Sequence, residues 1–366
     1  MEKLKLPHGE VNLPAFFPDG TRGVVKGVDS IDLENAQVQG LVMNTFHLLT
    51  NPGSHTIKAM SGLNSFIGWN RPIITDSGGF QVFSLIRENS KFGEIRRNEI
   101  IFRSESRKEK IKLSPERCVQ LQFSCGSDII MCLDYCTHPD DSYEINKLSV
   151  DTTVRWAKQC KSEYLRIINN SKKQTEKPLI FGIIQGGGYK ELRDQCAVEL
   201  IQLGFDGFGF GGWPLNAEGK LIEDILRYTA GLMPDNSIKY AMGIGKPEEI
   251  VICHKMGYNL FDCVIPTREA RHNRLYIFNE DAESPDEIEL DRPDFYSHYY
   301  ITDEVYRRDN RPVSGICDCL CCKNYSRAYL RHLYIIGDTL AYRLATIHNL
   351  RFYTQLMQRL QGEKWK

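Results

Sequence analysis

The sequence predicts an α/β chain of the (β/α)8-barrel class. Three observations lead there: eight short apolar, β-rich runs, amphipathic stretches between most of them, and polar or glycine-rich residues where nearly every run ends. The runs cover 22–27, 41–46, 71–76, 128–134, 179–185, 205–211, 239–244 and 260–265. Strands that are apolar along their whole length are those buried on both faces, as in a parallel sheet covered by helices. Helical spacing of apolar residues at 115–126, 145–169, 189–203, 217–233 and 247–257 supplies the covering layer. Eight such units favour closure into a barrel over an open doubly wound sheet.

The regular alternation breaks twice. Residues 84–113 form a charged segment (Arg87, Lys91, Arg96, Arg97, Arg103, Arg107, Lys108, Lys110, Lys112) that reads as a β-hairpin insertion. After 275 a polar, Asp/Glu/Arg-rich stretch leads to a cysteine cluster and a helical C-terminus. The division expected is a barrel over 1–275 and, over 276–366, a zinc-binding subdomain with C-terminal helices packed on the barrel. No internal repeat or low-complexity tract is present.

Bulk properties set the frame. The 366 residues are 42% hydrophobic and 25% charged, as in a soluble globular protein with a substantial core. A net charge of -1 gives no overall attraction for nucleic acid, so such a partner must meet a local basic patch. The N-terminal segment Met1–Pro7 lacks the apolar run of a signal peptide, and no stretch is suited to span a membrane, so a cytoplasmic location is expected. Twelve cysteines in such a chain point to thiols and a metal site rather than to disulfides.

Barrel strands deliver their C-terminal ends to one mouth. Here those ends carry Asn44 and His47, Asp76-Ser-Gly-Gly79, Asp134, Gln185-Gly-Gly187, Gly211-Gly212, Gly243 and Gly245, and the run from Asp262 to Arg268. A single aspartate there is as readily a helix or turn cap. Three in an apolar context, together with Gln185 and the glycines, are costly to bury without a shared purpose.

The cluster Cys317-x-Cys319-x2-Cys322, followed at a distance by His348 on a helix over about 339–360, supplies four ligands for tetrahedral Zn2+. A complete Cys3His set reads as structural, since catalytic zinc keeps an open position. Cys321 is a spare, and His332 is a rival to His348 as the fourth ligand. Gly207-Phe-Gly-Phe-Gly-Gly212 matches GxGxxG formally, but Trp213-Pro214 follows instead of a helix start, so it is not a dinucleotide fingerprint. Its glycines read as backbone kept bare for the close approach of a flat ligand.

The strings Asn44-Thr-Phe-His-Leu48, Thr75-Asp-Ser-Gly-Gly-Phe-Gln81, Leu113-Ser-Pro-Glu116, Gln185-Gly-Gly187, Met242-Gly-Ile-Gly-Lys246, Phe261-Asp-Cys-Val-Ile-Pro-Thr-Arg268 and the Cys317–His348 quartet resemble the tRNA-guanine transglycosylases, the queuine/preQ1 tRNA-ribosyltransferases. They occur in the family's order and span nearly the whole chain. The resemblance implies a zinc-bearing TIM barrel that exchanges a guanine in tRNA for a free 7-deazaguanine by double displacement. Asp262 matches the nucleophile that attacks ribose C1′, and Asp76 the general acid/base. Phe80 and Met242 match the pair that sandwiches the base, though without the resemblance they read as core. Asp134 matches the acceptor for the guanine N1 and amino hydrogens, with Gln185 and the Gly212 backbone facing the carbonyl oxygen. Arg268 and Arg271 match positions that hold the nucleic-acid strand. The resemblance also suggests a homodimer with the zinc region at its interface.

The chain departs from the family at Gly212-Trp213-Pro214-Leu215-Asn216, where a leucine and small residues are usual. Proline has no N–H, so this change alters the donors as well as the volume of the pocket for the 7-substituent. Tyr135 stands where many members have Glu, and Asn273 where many have Gly, a mild change since Asn tolerates a left-handed backbone. These leave the incoming base open among preQ1, preQ0 and queuine. Two alternatives stand beside the main reading: a paralogous enzyme that inserts a 7-deazaguanine into DNA, and a non-catalytic zinc-bearing partner subunit. The presence of both Asp262 and Asp76 argues against the last.

Overall fold

The computed structural model describes residues 3–103, 110–171, 177–279 and 288–362. Eight parallel strands form one sheet: β1 (Ala15–Pro18), β2 (Leu41–Met43), β3 (Ile73–Thr75), β4 (Ile129–Met131), β5 (Leu179–Ile184), β6 (Gly207–Phe210), β7 (Ile238–Ala241) and β8 (Leu260–Cys263). Their spatial order is their order in the chain, with β8 pairing back onto β1 through Leu260–Ala15, Phe261–Phe16 and Asp262–Phe17. A parallel bridge between Asp19 and Val42 joins the ends of β1 and β2 and nearly completes the ring.

The apolar runs are explained by the two layers they separate. Ala15, Phe17, Ile129, Met131, Phe181 and Ile183 point into the barrel, and Phe16, Ile130, Ile180, Ile184 and Phe261 point outward beneath the helices. Period-two alternation is thus preserved, yet both faces are buried. An antiparallel hairpin, Lys3–Leu6 with Gly9–Asn12, adds Leu4 and Val11 to the interior cluster and so stoppers the barrel's N-terminal end.

The expected first strand over 22–27 is not one. That stretch is turns, and the barrel begins at Ala15–Pro18. Gly23 and Gly27 lie at φ 74° and 90°, which breaks extended pairing around Val24 and Val25. The charged segment is likewise more than a hairpin. Helix α1 (Gly79–Glu88) leads into three antiparallel strands, Gly93–Ile95, Ile100–Arg103 and Lys110–Leu113. Arg107 and Lys108 lie outside the described residues.

Helix α2 (Lys190–Gln202) follows β5, and the short α3 (Ile265–Arg271) follows β8. The chain then leaves the barrel through the strand pair Arg274–Phe278 and Tyr296–Tyr300 and the cysteine loop, and returns in the long helix α4 (Thr339–Leu360). Among the described residues α4 packs on β1, on α3 and on Arg274–Phe278, so one helix ties the barrel to the cysteine loop. No described helix is long and apolar enough to cross a membrane.

Candidate active site

The C-terminal ends of the strands enclose a pocket of about 400 Å3. Asp76, Phe80, Asp134, Gly212, Met242 and Asp262 all line it, drawn from β3, α1, β4, β6, β7 and β8 and the turns that follow them. Among the described residues no lysine, arginine or histidine lines it. Three carboxyls therefore share one cavity without a cation at its wall.

Asp76 begins the Asp-Ser-Gly-Gly turn after β3, where Gly78 takes the left-handed conformation at φ 74° and starts α1. Its Oδ1 accepts from the backbone N–H groups of Thr45 and Gly78, each at 2.9 Å. Its Oδ2 accepts from Asn44 Nδ2 at 2.7 Å. Asn44 is also the N-cap of the helix Thr45–Thr50, so a capping residue doubles as a clamp. Burial outweighs these donors, and with the nearby Asp262 charge it raises the carboxyl from the ordinary 3.8 to about 7.

Asp262 sits half-buried near the end of β8. Tyr240 Oη and the Gly243 N–H both donate to its Oδ1 at 2.8 Å. Among the described residues Oδ2 takes no hydrogen bond, which leaves that oxygen available to the pocket. Burial raises this carboxyl too, to about 6, against the two donors that stabilise its charged form.

Asp134 is buried, and Gln185 Nε2 donates to its Oδ2 at 2.6 Å. Burial raises it to about 6 against the hydrogen bonds of Gln185 and Ser77. Gln185 does not line the pocket as the sequence suggested. It is fully buried behind Asp134, where it orients the carboxylate, and its own Oε1 has no hydrogen-bond partner. Gly211 makes room for it, because a Cβ there would stand 2.7 Å from the Gln185 Cδ. The bare-backbone reading of the glycine run thus holds for the pocket only at Gly212. A Cβ on Gly207 or Gly209 would meet Phe181 or Met242 instead.

The open side is aromatic. Phe80 and Trp213 are 46% and 39% exposed, unusual for rings of this size, and stand 5.7 Å apart at 53°. Trp213 also meets the His138 ring edge-on at 5.5 Å. The departure at 213–214 is thus part of the pocket wall, with Leu215 beside it. Asn273 adopts φ 55°, a left-handed backbone that asparagine tolerates. Arg268 and Arg271 lie on α3, the helix that follows the strand of Asp262, and outside the pocket. Arg268 pairs with Glu269 at 3.1 Å, and Arg271 donates to the Thr267 carbonyl at 2.9 Å.

Away from the pocket, Cys317, Cys319, Cys322 and His348 are buried, with their donor atoms within 4.8 Å of one another. His348 Nδ1 is 3.8 Å from Cys319 Sγ and 3.3 Å from Cys322 Sγ. Ligands at about 2.0–2.3 Å from a tetrahedral Zn2+ stand about 3.3–3.8 Å apart, the range of these two distances, so the donor set suits the ion. The other ring nitrogen, Nε2, is 2.7 Å from the Tyr276 carbonyl, the outer hydrogen bond that fixes a ligating tautomer. His332 is exposed and outside the cluster, and Cys321 packs elsewhere. The site is a structural zinc site joining the cysteine loop to α4.

Sequence reasoning missed Tyr240, Cys136 and Arg193. Tyr240 is one more aromatic in an apolar strand, and Cys136 one of many scattered thiols. Arg193 carries a surface residue type on a helix, and only the fold reveals that it is 1% exposed.

A family model described as queuine tRNA-ribosyltransferase matches residues 1–363. A queuine tRNA-ribosyltransferase of Halothermothrix orenii is 39% identical over 360 residues, covering 98% of this chain and 88% of its own length. One from Acinetobacter baylyi is 40% identical over 363 residues, covering 97% and 85%.

Proposed function

The chain belongs to the queuine tRNA-ribosyltransferase family, and from that premise we propose how its pocket exchanges a base. The protein is a tRNA-guanine transglycosylase: a guanine in tRNA leaves and a free 7-deazaguanine enters. The observation that carries the mechanism is the pairing of Asp262 and Asp76 in one cavity with unequal environments. Burial raises both carboxyls, and the Asp262 charge raises Asp76 further, so Asp76 is the one placed to hold a proton beside an ionised Asp262. Two carboxyls pushed apart in this way divide into nucleophile and acid.

In this reading Oδ2 of Asp262 attacks C1′ of the guanosine. The C1′–N9 bond breaks, its electron pair passes to the base, and Asp76 supplies the proton that leaves guanine neutral. The sugar stays bonded to Asp262, and the entering base reverses the steps while Asp76 takes its proton. An anion beside C1′ also stabilises the oxocarbenium-like transition state before the bond forms. Phe80 and Met242 flank the ring, Asp134 held by Gln185 reads its N1 and amino hydrogens, and the Gly212 N–H meets its carbonyl. The reacting nucleotide must leave its stack to enter such a pocket.

Arg268 and Arg271 beside Asp262, and the cations of residues 84–113, are the phosphate contacts we assign. The relatives' name specifies tRNA, which favours it over the DNA alternative. Which 7-deazaguanine enters is governed by Trp213, Pro214 and Leu215. Zinc supplies no chemistry here; when bound it braces the fold through its four ligands. The assembly we propose is a homodimer through the zinc-side face, where Tyr325 and Tyr329 stack at 5.4 Å and Ile335 and Ile336 are 59% and 58% exposed.

The test is exchange of labelled guanine into tRNA together with capture of the protein–tRNA adduct on a denaturing gel. Asp262→Ala should abolish both and still bind tRNA in a filter or mobility assay. Undiminished exchange by that variant would overturn the nucleophile assignment.

A further inference from the structure

Arg193, on α2, is a buried cation with no carboxylate partner among the described residues. Its guanidinium donates to three carbonyls: Nε to Gly187 at 3.0 Å, Nη1 to Ile184 at 2.7 Å and Nη2 to Gly211 at 3.0 Å. Its plane lies over the Phe210 ring, 4.2 Å from the centroid. Burial lowers its pKa to about 10, so it remains charged at neutral pH. Burying an uncompensated charge is expensive, and the carbonyls of a neutral scaffold need only neutral donors. The positive charge itself therefore calls for a use.

Its location supplies one. The Gly211 carbonyl belongs to the same peptide as the Gly212 N–H, and a trans peptide points the two in opposite directions. With the carbonyl held by Arg193, the N–H points the other way, toward the pocket wall at Cys136, whose thiol is only a weak acceptor that the base carbonyl would displace. The position a Gly212 Cβ would occupy is only 3.9 Å from Arg193 Nη2 and 3.7 Å from Gln185 Oε1. A cation bonded to the carbonyl end polarises the peptide and strengthens its N–H as a donor.

We propose that Arg193 is a positioning residue for departure of the base, using its buried charge through the Gly211–Gly212 peptide to stabilise the negative charge that guanine acquires as its bond to ribose breaks. This rests on the exchange reading above. As the C1′–N9 electron pair passes to the base, charge spreads through the ring to the carbonyl oxygen until Asp76 delivers a proton. A preorganised donor aimed at developing charge is worth about 100- to 1000-fold in rate when it touches that charge. One acting through a single peptide should be worth about 10- to 100-fold.

The experiment measures single-turnover base release from tRNA by wild type and by Arg193→Lys, Arg193→Gln and Arg193→Met. Two leaving bases are compared, guanine and 8-azaguanine, whose extra ring nitrogen makes its anion more stable. Thermal melts accompany each variant, and Gln keeps the comparison open if Met does not fold. The neutral variants should release guanine about 10- to 100-fold more slowly, with KM for tRNA little changed, and should lose markedly less with 8-azaguanine. Lys should recover most of the rate. Equal losses for both bases, or a Lys variant as slow as the neutral ones while melting like wild type, would overturn the proposal. Failure of the wild type to release guanine would instead overturn the exchange reading.

Discussion

Asp262→Asn should make the protein more stable while removing its activity, and the gain should depend on pH. In the folded chain this carboxyl is raised from 3.8 to about 6 by burial, so the fold disfavours its charged form. A raised folded pKa contributes stability that is complete below about pH 4 and lost as pH rises through about 6. A tenfold change in proton affinity is about 1.36 kcal/mol, which puts a ceiling of about 3 kcal/mol on the loss. Because Asp262 is only half-buried and faces a pocket that water enters, we expect about 1–2 kcal/mol. The amide keeps the geometry: its carbonyl replaces Oδ1 and still accepts from Tyr240 and Gly243, and its NH2 takes the place of Oδ2, which has no partner among the described residues. For a chain of 366 residues that is about 1–3 °C in Tm. Scanning calorimetry of both proteins at about pH 8 and about pH 4.5 checks it, with any acid loss of zinc common to the pair. Equal Tm values at pH 8, or a gain of the same size at both pH values, would refute the burial argument.

Removing zinc with a chelator should lower Tm and dissociate the proposed dimer in sedimentation velocity. A ligand held about a thousandfold above its Kd contributes about 4 kcal/mol to the fold, so metal-free protein melting like the holoprotein, or metal analysis without zinc, contradicts the assignment. Trp213→Ala should raise KM for the entering base about 5- to 150-fold, the range set by losing about 1–3 kcal/mol of aromatic stacking, with little change in kcat for guanine. Steady-state exchange with each of guanine, preQ0, preQ1 and queuine reads this out. An unchanged KM for all four would remove Trp213 from the binding wall.

The barrel was legible because a parallel sheet buried on both faces leaves long apolar runs, and seven of the eight runs contain a strand. The exception is instructive. Ala15–Pro18 is a short strand bounded by Pro14 and ended by Pro18, and those prolines hid it, whereas Val24 and Val25 between glycines imitated one. The carboxyls were legible because charge in an apolar strand is conspicuous. Gln185 was placed at the pocket but proved to act from behind Asp134, since sequence identifies a strand end and not the depth of a side chain. Arg193 was invisible for the opposite reason: nothing local separates an arginine that caps carbonyls inside a barrel from one in solvent. Trp213 and Pro214 were recognised only as a departure, and it took the fold to set the indole against Phe80.

The sequential ring has a consequence for synthesis on the ribosome. Because β8 closes directly onto β1, the strand that carries Asp262 is the last of the eight to be synthesised, and it pairs with the first. A nascent chain that has emerged through β7 already owns Asp76 and Asp134 but lacks Asp262, the nucleophile proposed above, and has an open wall. Such an intermediate can neither seal a base from water nor form a bond to ribose. Premature chains, and fragments cut before residue 260, are therefore chemically silent toward the tRNAs that crowd the ribosome. Pairing of the first strand with the last is a long-range closure, the kind that slows folding, and the proposed nucleophile is set in place only by it.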